Sequence, residues 1–346
     1  MSARYTVDSK RLHRLAACMS RVHGFTLIEL MVAMLLGLIV IGGVISVFLA
    51  GQQTYRTNEA LGDVENGSRT AFELLARDIR NAGLTGCDSS SGRVANVVNP
   101  PSPWYANWNS ALIGYDDATA DPALSGLTTN KPVAKTSSVH VISTANSDIT
   151  VSQTPSSDSA SFKINAATTE LSTGDLVMIC DFDHAAILQI TKYNGDTNVV
   201  HDSGNNGTPG NCSKGLGYPT ACTSANGDAY AFPPNSRVAV LTAAIWYIGT
   251  NPLNGSSLYR VTVGHGSNGT PSTPQEMVRN VTDMQIKYLQ PPGTNFDTAA
   301  KMTNWATVNA AQISLKLQST NARASTNSQP LIRSFTSTTT VRNRVQ

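Results

Sequence analysis

Residues 24–50 read GFTLIELMVAMLLGLIVIGGVISVFLA. From Phe25 onward this stretch carries a single charge, Glu29. About 20 apolar residues wound as a helix cross the hydrocarbon of a bilayer, so the run is long enough to span one. It is too long for a cleaved secretory signal, whose apolar region has roughly 7–15 residues and ends in small side chains. Here Phe48 stands two positions before Ala50. A carboxylate inside such a segment is costly unless it finds a partner. Glu29 is therefore a candidate functional residue, where an ordinary anchor would carry no charge at that depth.

The residues before the run set its orientation. Residues 1–24 hold Arg4, Lys10, Arg11, Arg14 and Arg21 against Asp8, a local charge of +4. The rest of the chain carries −2, which gives the net +2 of the 346 residues. Positive residues flanking an apolar helix stay on the cytoplasmic side, so the chain beyond the run is expected to be exported. Nucleic acid is not an expected partner, because its recognition needs a concentrated basic face on the folded domain.

The helix is expected to continue past Ala50. No Pro interrupts QQTYRTNEALGDVENGSRTAFELLARDIRN (52–81), and Leu61, Val64, Phe72, Leu75 and Ile79 fall at helical spacing with Ser68 filling the gap. That pattern is one apolar stripe on an amphipathic helix. Glu65–Arg69 and Glu73–Arg77 have the favourable i,i+4 order, and Gly83 suits the position after a helix end. One helix over residues 25–82 would be roughly 87 Å long. Gly37, Gly42, Gly43, Gly51, Gly62 and Gly67 interrupt it, consistent with close helix packing or local unwinding.

Beyond Gly83 the period changes to that of strands. SVHVIST (138–144), ITVSQ (149–153), ASFKIN (160–165), DLVMICD (175–181) and AAILQITKY (185–193) alternate or run apolar between turn residues. RVAVLTAAIWYIGT (237–250), SLYRVTV (257–263), MQIKYL (284–289), AQISLKLQ (311–318) and SFTSTTTVRNR (334–344) do the same. Such runs predict antiparallel hairpins, and residues 84–135 and 202–234 read as loops. The fold class expected is α+β, with the long N-terminal helix packed on an antiparallel β-sheet domain. The expected organisation is a leader over 1–24, a helix over 25–83 (apolar transmembrane part 25–50, amphipathic part 51–83), and a β-rich globular domain over 84–346.

Cys18 lies in the basic leader, and Cys87, Cys180, Cys212 and Cys222 lie in the exported part. An even count in an oxidising compartment predicts two disulfides, with free buried thiols as the alternative. Of the three pairings, Cys212–Cys222 is favoured because it closes a short Gly-rich loop, which leaves Cys87–Cys180.

The sequence offers no catalytic set. GxSxG, HExxH, Walker and CxxC motifs are all missing from it. Cys180-Asp-Phe-Asp-His184 reads as a turn between two strands and Asp116, Asp117 and Asp121 as a solvated loop. His140, His201 and His265 lack carboxylates at readable spacing. Neither an enzyme nor a cofactor or metal site is expected.

Gly24 followed by Phe25, Thr26, Leu27, Ile28 and Glu29 resembles the class III signal of type IV prepilins. The resemblance implies that a prepilin peptidase cuts between Gly24 and Phe25 and methylates Phe25. It also implies that Glu29, then the fifth residue, meets the N-terminal amine of a neighbouring subunit. A leader of 24 residues is longer than most of this class, and a start at Met19 would give MSRVHG, a leader of the usual length. ARDIRNAGLTGC (76–87) resembles the helix end of PilW-type minor pilins. TGDLVMICDFDHAAILQITKY, AAIWYIG, SLYRV, VTDMQIKYL, Trp305 with Val308, and VRNR are similar to that group as well. Membership implies a minor pilin that primes pilus assembly from the inner membrane, ends at or near the pilus tip, and supports adhesion and twitching motility. Its implied partners are other minor pilins, the major pilin, the prepilin peptidase, the inner-membrane assembly platform and a tip adhesin. A minor pseudopilin of a type II secretion system, or a membrane-anchored surface-binding module, is the alternative.

Overall fold

A single α-helix, α1 (Leu27–Arg80), opens the described chain. The computed structural model describes residues 24–87, 93–100, 102–156, 159–204, 207–325, 327 and 329–342. The chain divides into two compact units, Met1–Tyr55 and Arg56–Gln346. At 54 residues, α1 is about 81 Å long. It starts two residues later than the pattern suggests and ends at Arg80 instead of residue 82. Gly83 follows in the left-handed conformation (φ 72°), which glycine adopts without strain, and its N–H donates to the Ile142 carbonyl at 2.8 Å.

In the first unit the large apolar side chains of α1 stand exposed, Leu38 and Val47 each by 74%. So contiguous an apolar surface is not a water-facing one, and this helix is long and apolar enough to cross a membrane.

In the second unit α1 buries Ala60, Val64, Ser68, Ala71, Leu75 and Ile79. These positions repeat at four or three residues and form one face. Leu61 and Phe72, expected at its centre, are only partly buried. The smaller Ala60 and Ala71 are buried in their place. A Cβ on Gly67 would lie 3.2 Å from Leu317 Cδ2, so the helix and the strand beneath it approach closely there. Among the described residues neither Glu65–Arg69 nor Glu73–Arg77 closes as an ion pair.

Fourteen strands follow among the described residues. They are β1 (Val94–Asn96), β2 (Leu112–Tyr115), β3 (Ser138–Thr144), β4 (Val151–Gln153), β5 (Ser161–Ile164), β6 (Leu176–Cys180) and β7 (Ala185–Gln189). Then come β8 (Asn198–Val200), β9 (Arg237–Thr250), β10 (Ser256–Val263), β11 (Gln275–Arg279), β12 (Val281–Leu289), β13 (Ala310–Gln318) and β14 (Ile332–Thr340). The largest sheet runs β1-β7-β6-β9-β10-β11, with β3 also on β9 and β2 on β3. The other two sheets are β12-β13-β14 and β4-β5-β8. All pairings are antiparallel except β1 on β7. The architecture is α+β.

Strand β9 explains its unbroken apolar sequence. It pairs with β6, β3 and β10 along its length. Ala244, Trp246 and Ile248 face the core that holds α1 and the β12-β13-β14 sheet. Leu241, Ala243, Ile245 and Tyr247 feed cores on the other side. A strand buried on both faces has no polar side to show.

Residues 84–135 are not the plain loop the sequence suggests, since they include β1, β2 and three 3-10 turns. Nor is the aspartate cluster wholly solvated. Asp121 is fully buried, with Oδ2 2.6 Å from the donating Ser138 hydroxyl and 2.7 Å from His140 Nε2. Asp116 accepts from the Ala299 and Ala300 N–H groups at 2.8 and 2.9 Å. Hydrogen bonds from the Thr119 hydroxyl and N–H hold the Asp117 carboxyl below its usual range. Likewise His265 Nδ1 lies 2.8 Å from Asp175 Oδ2. Two of the three histidines thus have carboxylate partners, 19 and 90 residues away in the chain.

The last turn of α1 is tied to the large sheet through one carboxylate oxygen. Trp246 Nε1–H donates to Asp78 Oδ2 at 2.8 Å, and Arg260 Nε and Nη2 reach the same atom at 3.1 and 3.0 Å. The Arg260 guanidinium also lies over the Trp246 ring, 5.4 Å from its centroid, a cation–π arrangement. We expect Asp78→Ala to destabilise the full-length chain in detergent by about 2–3 kcal/mol, since it leaves an indole N–H and a part-buried guanidinium without their acceptor. Urea unfolding followed by near-UV circular dichroism reads this directly. A change within error of zero would mean that the tie contributes nothing.

His201 is fully buried, and among the described residues its Nδ1 has no hydrogen-bond partner. Burial lowers its pKa from 6.5 to about 4. The unfolded chain then binds a proton that the folded chain refuses, so stability falls as pH drops from about 6.5 through about 4. The loss reaches roughly 3 kcal/mol below both values. Unfolding curves between pH 7 and 4 should show this slope, and His201→Phe should flatten it.

Candidate processing and assembly segment

The residues at the head of α1 make a self-contained helix start. Thr26 is the cap: its carbonyl accepts the first helical bond from Leu30 N–H at 3.1 Å, and its Oγ1 accepts from Glu29 N–H at 3.3 Å. Thr26-Leu27-Ile28-Glu29 is a capping-box sequence, in which the hydroxyl and the acid three residues on serve the unsatisfied amides of the first turn. Glu29 is the acid of that turn, where the helix dipole favours a negative charge.

Around this cap the surface is apolar and open. Phe25 is 79% exposed, and Leu27 and Ile28 are also exposed. Among the described residues Glu29 has no ion-pair partner. Nothing in the fold demands glycine at position 24: a Cβ there would meet no atom within 4 Å, and the backbone is not left-handed. The arrangement therefore offers an accessible Gly24–Phe25 peptide bond and one unpaired anion on an apolar rod.

Cys87, Cys180, Cys212 and Cys222 all lie in the second unit and form two disulfides. Cys87–Cys180, with Cα atoms 6.1 Å apart, fastens the segment after α1 to the end of β6. Cys212–Cys222, with Cα atoms 5.1 Å apart, closes the loop over 202–234. Asn211 buries that loop's start. Its Nδ2 donates to the Gln189 carbonyl and its Oδ1 accepts from Gln189 N–H, both at 2.7 Å. The Cys180–His184 stretch is the β6–β7 turn. Asp181 Oδ1 accepts from the Asp183 and His184 amides, and Tyr230 donates to Asp181 Oδ2 at 2.7 Å. Burial, and then Asp181, raise the pKa of that tyrosine hydroxyl. Among the described residues no group of three or more His, Cys, Asp or Glu could hold a metal ion. Residues 1–23 of the leader expected over 1–24 lie outside the described residues.

Sequence reasoning passed over Thr26 and Asp78. The first was legible as the Thr-x-x-Glu spacing. The second carried no signal beyond an acid flanked by Arg77 and Arg80.

We expect Thr26→Ala to cost about 1 kcal/mol of helix start and Thr26→Ser to cost little. Amide hydrogen exchange at Leu27–Leu30 of the full chain in micelles should quicken several-fold in the alanine variant only. Equal rates in all three proteins would show that the cap is idle.

Comparison with known families adds two matches. Residues 245–345 match the family model described as Type IV Pilus-assembly protein W. Residues 19–45 match the Prokaryotic N-terminal methylation motif. No curated protein and no solved structure matched the chain.

Proposed function

We propose that this chain, which belongs to the PilW family of type IV pilus-assembly proteins and carries the N-terminal methylation motif, is a minor pilin that primes pilus growth and resides at or near the tip. The observation that carries the reading is the exposed apolar helix headed by Gly24, Phe25 and an unpaired Glu29. Residues 1–24 are the leader. Prepilin peptidase cuts between Gly24 and Phe25 and methylates the Phe25 amine. Residues 25–50 hold the protein in the inner membrane, residues 51–83 continue the helix, and residues 84–346 form a periplasmic domain, an orientation supported by the basic leader.

On assembly the helix leaves lipid for a bundle of like helices. A buried carboxylate and a buried ammonium are each costly alone and tolerable together. Glu29 thus pairs with the N-terminal amine of the adjacent subunit, and the saving sets the register. The neighbours are other minor pilins and the major pilin, delivered by the inner-membrane assembly platform, with a tip adhesin beyond. Adhesion and twitching motility follow from the pilus being built. The match over residues 245–345 to a pilus-assembly family favours a pilus over a type II secretion pseudopilus.

Glu29→Ala should leave processing intact and cut surface pili by about tenfold, given the cost of an unpaired buried amine. Immunoblots of precursor and mature chain report processing, and pilus counts with twitching assays report assembly. Unprocessed precursor with normal pilus numbers would overturn the reading. Loss of protein secretion with pili unaffected would point to the pseudopilus instead.

A further inference from the structure

Among the described residues strand β14 ends its sheet and pairs only with β13, nine residues against nine without a bulge. The bonds around β13 fix which way the groups of β14 point. Gln318 N–H donates to the Asn280 carbonyl beside β12, whereas Ser319 N–H donates to the Leu331 carbonyl at the start of β14. Alternation along the ladder then turns residues 333, 335, 337 and 339 toward β13. It turns the main-chain groups of Ile332, Ser334, Thr336, Thr338 and Thr340 away. Ile332, Ser334, Thr336, Thr338 and Thr340 lie along the open side of the sheet, and Ile332 is 51% exposed. Among the described residues none of their main-chain N–H or C=O groups has a hydrogen-bond partner.

The opposite edge of the same sheet is covered. Met284 C=O accepts from Ser137 N–H at 2.7 Å, and Tyr288 and Asp297 exchange main-chain bonds at 2.8 and 2.9 Å. Open edges are ordinarily blunted by Pro, Lys, a bulge or an inward charge. The sequence of β14, IRSFTSTTT, has no Pro or Lys, and its one charge, Arg333, is exposed.

A second feature adjoins this edge. Arg77, Arg80, Asn81 and Arg342 line a cavity of about 210 Å³. Arg80 Nε donates to Thr339 Oγ1 at 3.3 Å, which sets the cavity against the end of β14. Among the described residues none of the three arginines has an ion-pair partner. Asp78 is occupied by Arg260 and Trp246, and Glu73 does not close on Arg77. Basic residues suit a helix C-terminus, but that leaves Arg342, from after β14, unexplained. Three gathered guanidiniums present forks that match a carboxylate.

We propose that β14 is the acceptor edge for an extended segment of a partner polypeptide, which adds as a further strand and sets a carboxylate into the Arg77–Arg80–Arg342 cavity. Main-chain bonds supply affinity in such strand addition, and side-chain contacts supply selectivity. The inference does not depend on the pilus reading.

The test uses the full-length chain in detergent and a fluorescent octapeptide of alternating threonine and valine that ends in two aspartates. Anisotropy titration should show binding. Affinity should fall by about tenfold or more when alternate peptide amides are N-methylated, when the aspartates become lysines, and in Thr336→Pro. That last change removes an outward N–H and spares the ladder to β13. Arg77→Glu with Arg342→Glu should weaken the aspartate peptide and improve the lysine one. No binding, or equal affinity for the methylated and unmethylated peptides, would overturn the proposal. A concentration-dependent dimer that Thr336→Pro abolishes and the peptide fails to displace would assign the edge to a second copy and overturn it also.

Discussion

One unbroken ladder of helical hydrogen bonds from Leu27 to Arg80 has to serve in two environments. Because every backbone group inside an α-helix is satisfied by its own segment, such a ladder is indifferent to its surroundings. The side chains decide where each part belongs. From Leu30 to Phe48 they carry no charge on any side, and from Ala60 to Ile79 only one face is apolar. The second unit is organised by that face. Its central core gathers Leu75 and Ile79 with Trp246, Ile286, Ile313 and Leu315 from two sheets. The Asp78 tie then secures the end of the helix to the longest strand.

Long patterned elements were legible and short or cooperative ones were not. The strands over 138–144 and 237–250 match their expected bounds residue for residue, because continuous apolar runs flanked by turns admit little else. β1, β2, β8 and β11 have three to five residues each, too few to show a period. The edge strand QEMVR buries only Val278, so its conformation is imposed by pairing with β10. The partners Asp121–His140 and Asp175–His265 were invisible for the same reason, being joined by topology and not by spacing. The stripe of α1 holds at Val64, Ser68, Leu75 and Ile79 and differs at two places, where Ala60 and Ala71 are buried instead of their larger neighbours Leu61 and Phe72. Close packing of Ala324 and Leu331 prefers the smaller side chain at position 60. At the candidate segment, Gly24, Phe25 and Glu29 were readable as a motif, and the cap at Thr26 was legible as Thr-x-x-Glu but passed over until the hydrogen bonds showed it.

Polar residues carry a share of the interior that composition did not foretell. Asn211 and Gln189, both fully buried, satisfy each other where a strand would otherwise have to continue. Burial without satisfaction costs, and such pairs avoid it. The loop over 202–234, rich in Gly and Asn, is held by this pair, by Leu216 and Phe232 in the core, and by Cys212–Cys222. It therefore needs no regular secondary structure of its own.

The cap at the head of α1 has a consequence for the chain as a manufactured object. Every atom that starts the helix, from the Thr26 hydroxyl and carbonyl to the Glu29 and Leu30 amides, belongs to residues after Phe25. A polypeptide that began at Phe25 would keep all of these atoms. The start of the helix thus lies wholly on one side of the Gly24–Phe25 link, and a chain opened there would not have to be unwound and wound again.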